Sequence, residues 1–206
     1  MVRRVNIFIY LLIISSGLMG FVLPVQSEWK LRKDKDGIKV YTRESSDGKS
    51  IEFKATTSIQ QNSDKVLAII NKTEELHKWQ TNLEEAKVIK RISSTKWYEY
   101  SWIDLPWPFA NRDAVMLKEV KKDSNSDVTV SMVSKPSAYP VQEDLIRMNT
   151  ANGFWKLTKQ NSQGVNVTYQ FYADPEINMP MWLINMFIVD GPFETLTNLK
   201  ELVEKP

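Results

Sequence analysis

Few side chains in this sequence can do chemistry. His77 is the single histidine, and cysteine is absent from all 206 residues. That excludes a disulfide framework, a thiolate nucleophile, a Cys-type zinc site and any multi-histidine metal cluster. A Ser-His-acid hydrolase would have to use His77, yet no Gly-x-Ser-x-Gly turn is present and His77 falls in a short polar helix. Metal chemistry would rest on carboxylates. Asp123-Ser-Asn-Ser-Asp127 opens like a calcium loop, but the glycine that should follow is missing and the twelfth position is Ser134, so it reads as a solvated hairpin turn. Glycine-rich phosphate loops and dinucleotide motifs are absent. The expectation is therefore no metal and no cofactor. Glu99, Glu143 and Asp144 are the acid–base candidates, with no spacing that pairs them. Asn71-Lys-Thr73 and Asn166-Val-Thr168 fit the glycosylation sequence, which matters only in a host that glycosylates.

Charge narrows the partners. The 27 Lys and Arg against 25 Asp and Glu give a formal charge of +2, and no basic run exceeds two residues, so nucleic acid is not an expected partner. Residues 1–27 differ from the rest: Arg3 and Arg4 precede an apolar run from Val5 to Ile14, then Ser15, Ser16, Gly17 and a second apolar stretch to Val25. This pattern is an export signal peptide, with Val25 and Ser27 suiting a cut before Glu28; the alternative is an uncleaved anchor, weakened by Ser15, Ser16 and Pro24. Removing it takes two arginines and no acid, which leaves a formally neutral chain. An exported domain, periplasmic or secreted, without disulfides must be held by its core alone.

Those side chains need elements to position them, and residues 28–206 read as one domain with no linker, repeat or low-complexity tract. Strands are predicted at Ile38 to Arg43 and Ile51 to Ser58 around a turn at Ser46, Asp47 and Gly48. Ser63 is the expected N-cap of a helix carrying Val66, Leu67, Ile69 and Ile70, with a second short helix from Glu74 to Trp79. A run of strands follows: Val88 to Ile92, Trp97 to Ile103, Arg112 to Lys121, Val128 to Val133, Asp144 to Met148, Gly153 to Thr158 and Val165 to Tyr172. From Met181 to Val203 the chain turns helical, with Phe193, Leu196, Leu199 and Leu202 as the inward face and a kink at Gly191-Pro192. An antiparallel sheet covered on one side by a long helix is an α+β arrangement. Val165, Val167, Tyr169, Phe171 and Ala173 mark the inward face of the last strand. Periodicity alone leaves open whether that face meets the helix in a solid core or across a cavity.

GIKVYTR at Gly37 to Arg43, ELHKWQTNLEEAKVI from Glu75 to Ile89, LPWPFANRD from Leu105 to Asp113, GFWKL from Gly153 and VTYQFYADPEINMPMWLIN from Val167 to Asn185 resemble START domains, the lipid-transfer modules of the helix-grip fold. The resemblance spans about residues 37 to 203. Two departures stand out: Glu176 and Ile177 occupy the place of two glycines, and the usual N-terminal helix is shortened to Glu28 to Lys33. The resemblance implies a curved antiparallel sheet gripping a long C-terminal helix, two short helices after the second strand, and an internal hydrophobic cavity. It implies a non-enzymatic carrier of one phospholipid, sterol or related lipid. Two alternatives stand beside it: an enzyme of the cyclase or hydrolase type using the same cavity, and a membrane-tethered lipid sensor. The partners implied are a lipid or other hydrophobic small molecule and, transiently, a membrane surface; the chain is expected to be monomeric.

The resemblance also assigns roles. In phosphate-headgroup carriers of that family a tunnel arginine at the NRD element meets the headgroup, which implies that role for Arg112; alternation puts Arg112 and Asp113 on opposite faces, so one at most points inward. The alternative for Arg112 is an ion pair with Glu99 or Glu143. Tyr100, Trp102, Trp155, Tyr169, Phe171, Trp182 and Met186 are the lipid-lining candidates, each with core packing as its alternative. Met179 and Met181 would add an adaptable lining, and Arg147, in phase with Leu145, is a further inward candidate. Leu105, Trp107, Phe109 and Met181 are expected to form a gate that touches the membrane.

Overall fold

The computed structural model describes residues 27–45, 51–160, 164–174 and 180–205. The expected export signal, apart from Ser27, the turn at Ser46 to Gly48, Glu176, Ile177 and Met179 lie outside the described residues. The chain begins with an edge hairpin that the pattern of residues 28–33 does not suggest. Strand β1 (Lys30–Lys35) pairs antiparallel with β2 (Ile38–Glu44), and Asp36 and Gly37 between them both have positive φ, 54° and 75°. An Asp-Gly pair in that conformation is the two-residue turn whose twist matches flanking strands. It converts the expected N-terminal helix at Glu28 to Lys33 into a strand.

β3 (Ile51–Ile59) follows, then helix α1 (Ser63–Ile70), capped by the Asn62 side chain rather than Ser63, and a 3-10 turn at Thr73–Lys78 where a second short helix is predicted. The meander runs through β4 (Leu83–Ser93), β5 (Lys96–Ile103), β6 (Arg112–Lys122), β7 (Val128–Ser134), β8 (Ile146–Arg147), β9 (Ala151–Lys159) and β10 (Val165–Ala173). The sheet order is β1-β2-β3-β10-β9-β7-β6-β5-β4, antiparallel along this path, with two-residue β8 pairing parallel to β6. The C-terminal helix is continuous but changes pitch: α2 (Met181–Asn185), a π-helical turn at Met186–Asp190, then α3 (Gly191–Glu204). Pro192 has no N–H for the regular ladder, and the Gly191 amide instead donates to the Met186 carbonyl, so the predicted kink is expressed as a widened turn.

The inward face of α3 is also corrected. Thr195, Leu196, Leu199 and Val203 are buried, whereas Phe193 is half-buried and Leu202 is 42% exposed. A three-residue spacing falls short of the 3.6-residue turn, so nine residues carry Phe193 and Leu202 to opposite sides of the helix. α3 and α1 pack Val66, Ile70, Leu196, Leu199 and Val203 into one apolar cluster with Ile59, Val128, Leu157 and Val165 of the sheet. The solid core therefore sits under the C-terminal half of the long helix.

On the convex face Asp113 and Arg147 meet as a bidentate pair at 2.8 and 2.9 Å, both almost completely buried. Arg147 also donates to the carbonyls of Pro136, Tyr139 and Pro140, tying the loop before β8 onto the sheet. Replacing Asp113 with Ala should destabilise the protein by about 3–5 kcal/mol, because a buried guanidinium is left without its carboxylate. Urea unfolding at neutral pH measures it; a loss near that of an exposed pair, below about 1 kcal/mol, would show that the clamp does not hold the loop.

Candidate functional site

Under the N-terminal half of the long helix, sheet and helix separate around a cavity of about 540 Å³. Its floor follows strictly from alternation. β5 contributes Glu99, Ser101 and Ile103, and β6 contributes Arg112, Ala114, Met116 and Lys118. Phe53, Met132, Tyr169 and Phe171 add to the floor, and Met148 joins them from beyond β8. The roof is Ile184, Phe187, Ile188, Gly191, Pro192 and Thr195 of the helix, and residues Gln80 to Leu83 close one side.

Two polar groups stand on this floor. Lys118 and Glu99 form an ion pair at 2.7 Å with side chains 3% and 5% exposed. The same Glu99 oxygen accepts from the buried Thr73 hydroxyl at 2.8 Å. Six residues along β6, about 20 Å at the rise of a strand, Arg112 is 2% exposed and donates to the Ala110 carbonyl. Ala114 and Met116 separate the two on the same face. The Tyr169 ring stacks on Trp155 at 3.9 Å; burial, reinforced by the Glu99 carboxylate, pushes its phenol well above the usual range and keeps it neutral.

A glycine allows the aromatic wall. Gly153 on β9 faces Phe171 on β10, and a Cβ there would overlap the Phe171 ring and the Gln170 carbonyl. Glycine therefore permits a close approach that no other residue would.

Of the predicted lining residues, the cavity includes Arg112, Tyr169 and Phe171. Trp155 is fully buried one layer below, wedged between Tyr169 and Trp79. Tyr100 and Trp102 are on the convex face: Tyr100 packs on Tyr139 at 4.9 Å, and the Trp102 indole donates to Glu85. Burial, with the Asp113 carboxylate beside it, pushes the Tyr100 phenol up to about 12. Tyr100 and Trp102 turn outward, Tyr100 beneath the loop pinned by Arg147, and Glu99, Ser101 and Ile103 turn inward. Arg147 accordingly does not face the cavity. Trp182 is 56% exposed, and Met186 is half-buried outside the wall; Ile184, Phe187 and Ile188 take the roof positions. The lining methionines are Met116, Met132 and Met148 rather than those of the helix. Glu143 and Asp144 lie exposed in the loop before β8.

Sequence reasoning also missed Lys118. It is in phase with Arg112, Ala114 and Met116, and a lysine continuing an otherwise inward row was its signal. Among the expected gate residues, Leu105 is buried in the cavity wall, Phe109 packs edge-on against Trp182 with centroids 6.4 Å apart, and Trp107 and Met181 are 92% and 57% exposed. The loop and α2 thus meet at one end of the cavity with their largest apolar side chains outward.

The START domain family model matches residues 23–205, and this chain belongs to that family. An uncharacterized protein of Pseudomonas aeruginosa is 33% identical over 189 residues, 92% of either chain. The crystal structure of a STAR-related lipid transfer protein from Xanthomonas axonopodis is 30% identical and superposes with a TM-score of 0.78, covering 86% of this chain and 99% of that one. An aromatase/cyclase from Streptomyces shares the fold alone, at 8% identity and a TM-score of 0.51 over 74% of this chain and 93% of that one. The fold is thus the lipid-binding fold of START domains, a curved open sheet around a C-terminal helix.

The Glu99–Lys118 pair makes a test of its own. Lys118→Met should destabilise the protein by about 3 kcal/mol by stranding a buried carboxylate, whereas Glu99→Leu with Lys118→Met should recover most of that loss. Denaturant unfolding of the four members of the cycle measures the coupling, and additive losses would show that the two charges do not depend on each other.

Proposed function

We propose that this protein is an exported carrier that shields one lipid in the cavity between sheet and helix. The observation that carries this reading is the cavity itself: an apolar enclosure, in the size range of ligand sites, with charged groups at two points on one strand face. Burying a chain there is favourable against water by about 0.8 kcal/mol per methylene. Transfer from a bilayer is nearly neutral, so the mouth rather than the cavity governs exchange. Trp107, Met181 and Trp182, exposed around that mouth, suit insertion at a bilayer surface.

A cavity of this volume suits one hydrophobic ligand of lipid size. Glu99–Lys118 and Arg112 are the groups that would meet the polar end of such a ligand. The enzyme reading is less well supported by the geometry, because Glu99, Glu143 and Asp144 do not converge: Glu99 is tied to Lys118 and Thr73, and the other two are on the outer loop.

Export rests on the amino-terminal pattern. Trp29, the second residue after the expected cut, packs its ring against Arg43 and Lys54 at 4.2 and 4.4 Å, so a terminus at Glu28 would begin next to its own anchor. Protein recovered from the periplasm of an expressing bacterium should begin at Glu28 by amino-terminal sequencing; a retained leader would support the tethered sensor instead.

Native mass spectrometry of the detergent-free protein, with solvent extraction, should reveal one bound lipid per chain. Arg112→Ala should weaken retention of anionic lipids and spare neutral ones. An empty protein that takes up neither fluorescent sterol nor fluorescent fatty acid from vesicles would overturn the carrier reading.

A further inference from the structure

The roof of the cavity is fastened along its other edge by strand β1. A β-bulge does the fastening: Leu31 pairs with Tyr41 and Lys33 with Val40, so Arg32 is the extra residue. A bulge breaks the alternation of side chains. As a result two successive cations reach the helix side of the edge strand. Arg32 donates to the Asn185 side-chain oxygen at 3.3 Å, and Lys33 pairs with Asp190 at 2.8 Å while its ammonium lies 4.2 Å from the Phe193 ring centroid. Asn185 and Asp190 bracket the π-helical turn that carries Phe187 and Ile188 into the cavity.

These contacts are exposed: the Lys33 and Asp190 side chains retain 31% and 52% of their accessible surface. A pair so open to water holds weakly, which makes it a poor structural tie and a suitable catch. Within the segment it holds, the regular helical ladder is already interrupted before Pro192. Beside the catch, α2 turns Met181 and Trp182 to solvent. Two cations next to exposed aromatic and thioether side chains match the chemistry of an anionic lipid surface, which attracts basic groups near it and accepts amphipathic side chains at its boundary.

We propose that Arg32 and Lys33 are a charge-operated latch on the segment Met181–Asp190, and that an anionic phospholipid bilayer is the partner that releases it. At such a surface lipid phosphates take over the two cations, Asp190 and Asn185 lose their partners, and the segment swings from Gly191-Pro192 to uncover the cavity. The proposal rests on the carrier reading for its purpose, but its test needs no ligand.

Hydrogen exchange of the domain from Glu28, read by mass spectrometry, follows the amides of Met181–Asp190 with β9 as internal reference. Arg32→Gln with Lys33→Gln should raise exchange of that segment about fivefold, the factor an exposed pair is worth at most, and leave β9 unchanged. Asp190→Asn should act in the same direction. Vesicles containing phosphatidylglycerol should produce the same rise in the wild-type chain, whereas pure phosphatidylcholine should not, and the double variant should not respond to lipid charge. Unchanged exchange in the variants would overturn the latch, and a wild-type chain indifferent to phosphatidylglycerol would overturn the anionic surface as its release. Exchange changes of this kind in a protein that loads no lipid would sink the carrier reading and leave the latch standing; lipid loading with unchanged exchange would do the reverse.

Discussion

Two opposite charges, Glu99 and Lys118, occupy the concave face of the sheet where a solid core would need apolar side chains. Taking each ion out of water costs several kcal/mol, and only close pairing with further hydrogen bonds offsets it. The 2.7 Å contact between them and the Thr73 hydroxyl on Glu99 provide that compensation. A helix laid directly on this part of the sheet would have to bury these groups against leucine and valine. Keeping helix and floor apart avoids that conflict, and the cavity is the space that results.

The long helix divides its work accordingly. α3 supplies Leu196, Leu199 and Val203 to a close-packed cluster, and that half fixes the helix to the sheet. The preceding turns supply Ile184, Phe187 and Ile188 to a cavity roof, with fewer atoms beneath them to pack against. Gly191 and Pro192 mark the join between these regimes. Rigidity at one end and a π-helical turn at the other are compatible because dispersion and apolar burial act only where surfaces touch.

The convex face has its own constraint. Asp113 and Arg147 bind the loop before β8 to β6, and the loop in turn covers Tyr100. With that side covered, β5 can point Tyr100 away from the helix and leave the concave floor to Glu99, Ser101 and Ile103. The orientation of Arg112 follows from the same alternation: Asp113 is committed outward to Arg147, so its neighbour faces the cavity.

The sequence alone was enough for the α+β class, the element order from β2 onward and the inward row of β10, because side-chain alternation and turn chemistry act over a few residues, while the family was legible in its motifs. It also named Arg112, Tyr169 and Phe171 as lining candidates and Trp107 as an exposed one, whereas Leu105, expected at the membrane, is buried in the cavity wall. It did not say which face of β5 would be covered, since Tyr100 and Trp102 look like lining residues until Tyr139 of a distant loop packs on Tyr100 and Glu85 takes the Trp102 indole. It gave no sign that Lys118 meets Glu99, because cross-strand neighbours depend on register. The bulge at Arg32, the Asp-Gly hairpin of β1 and the roles of Ile184, Phe187 and Ile188 were likewise settled by tertiary structure. Each depends on which surfaces come into contact, and periodicity within one segment carries no information about its partner.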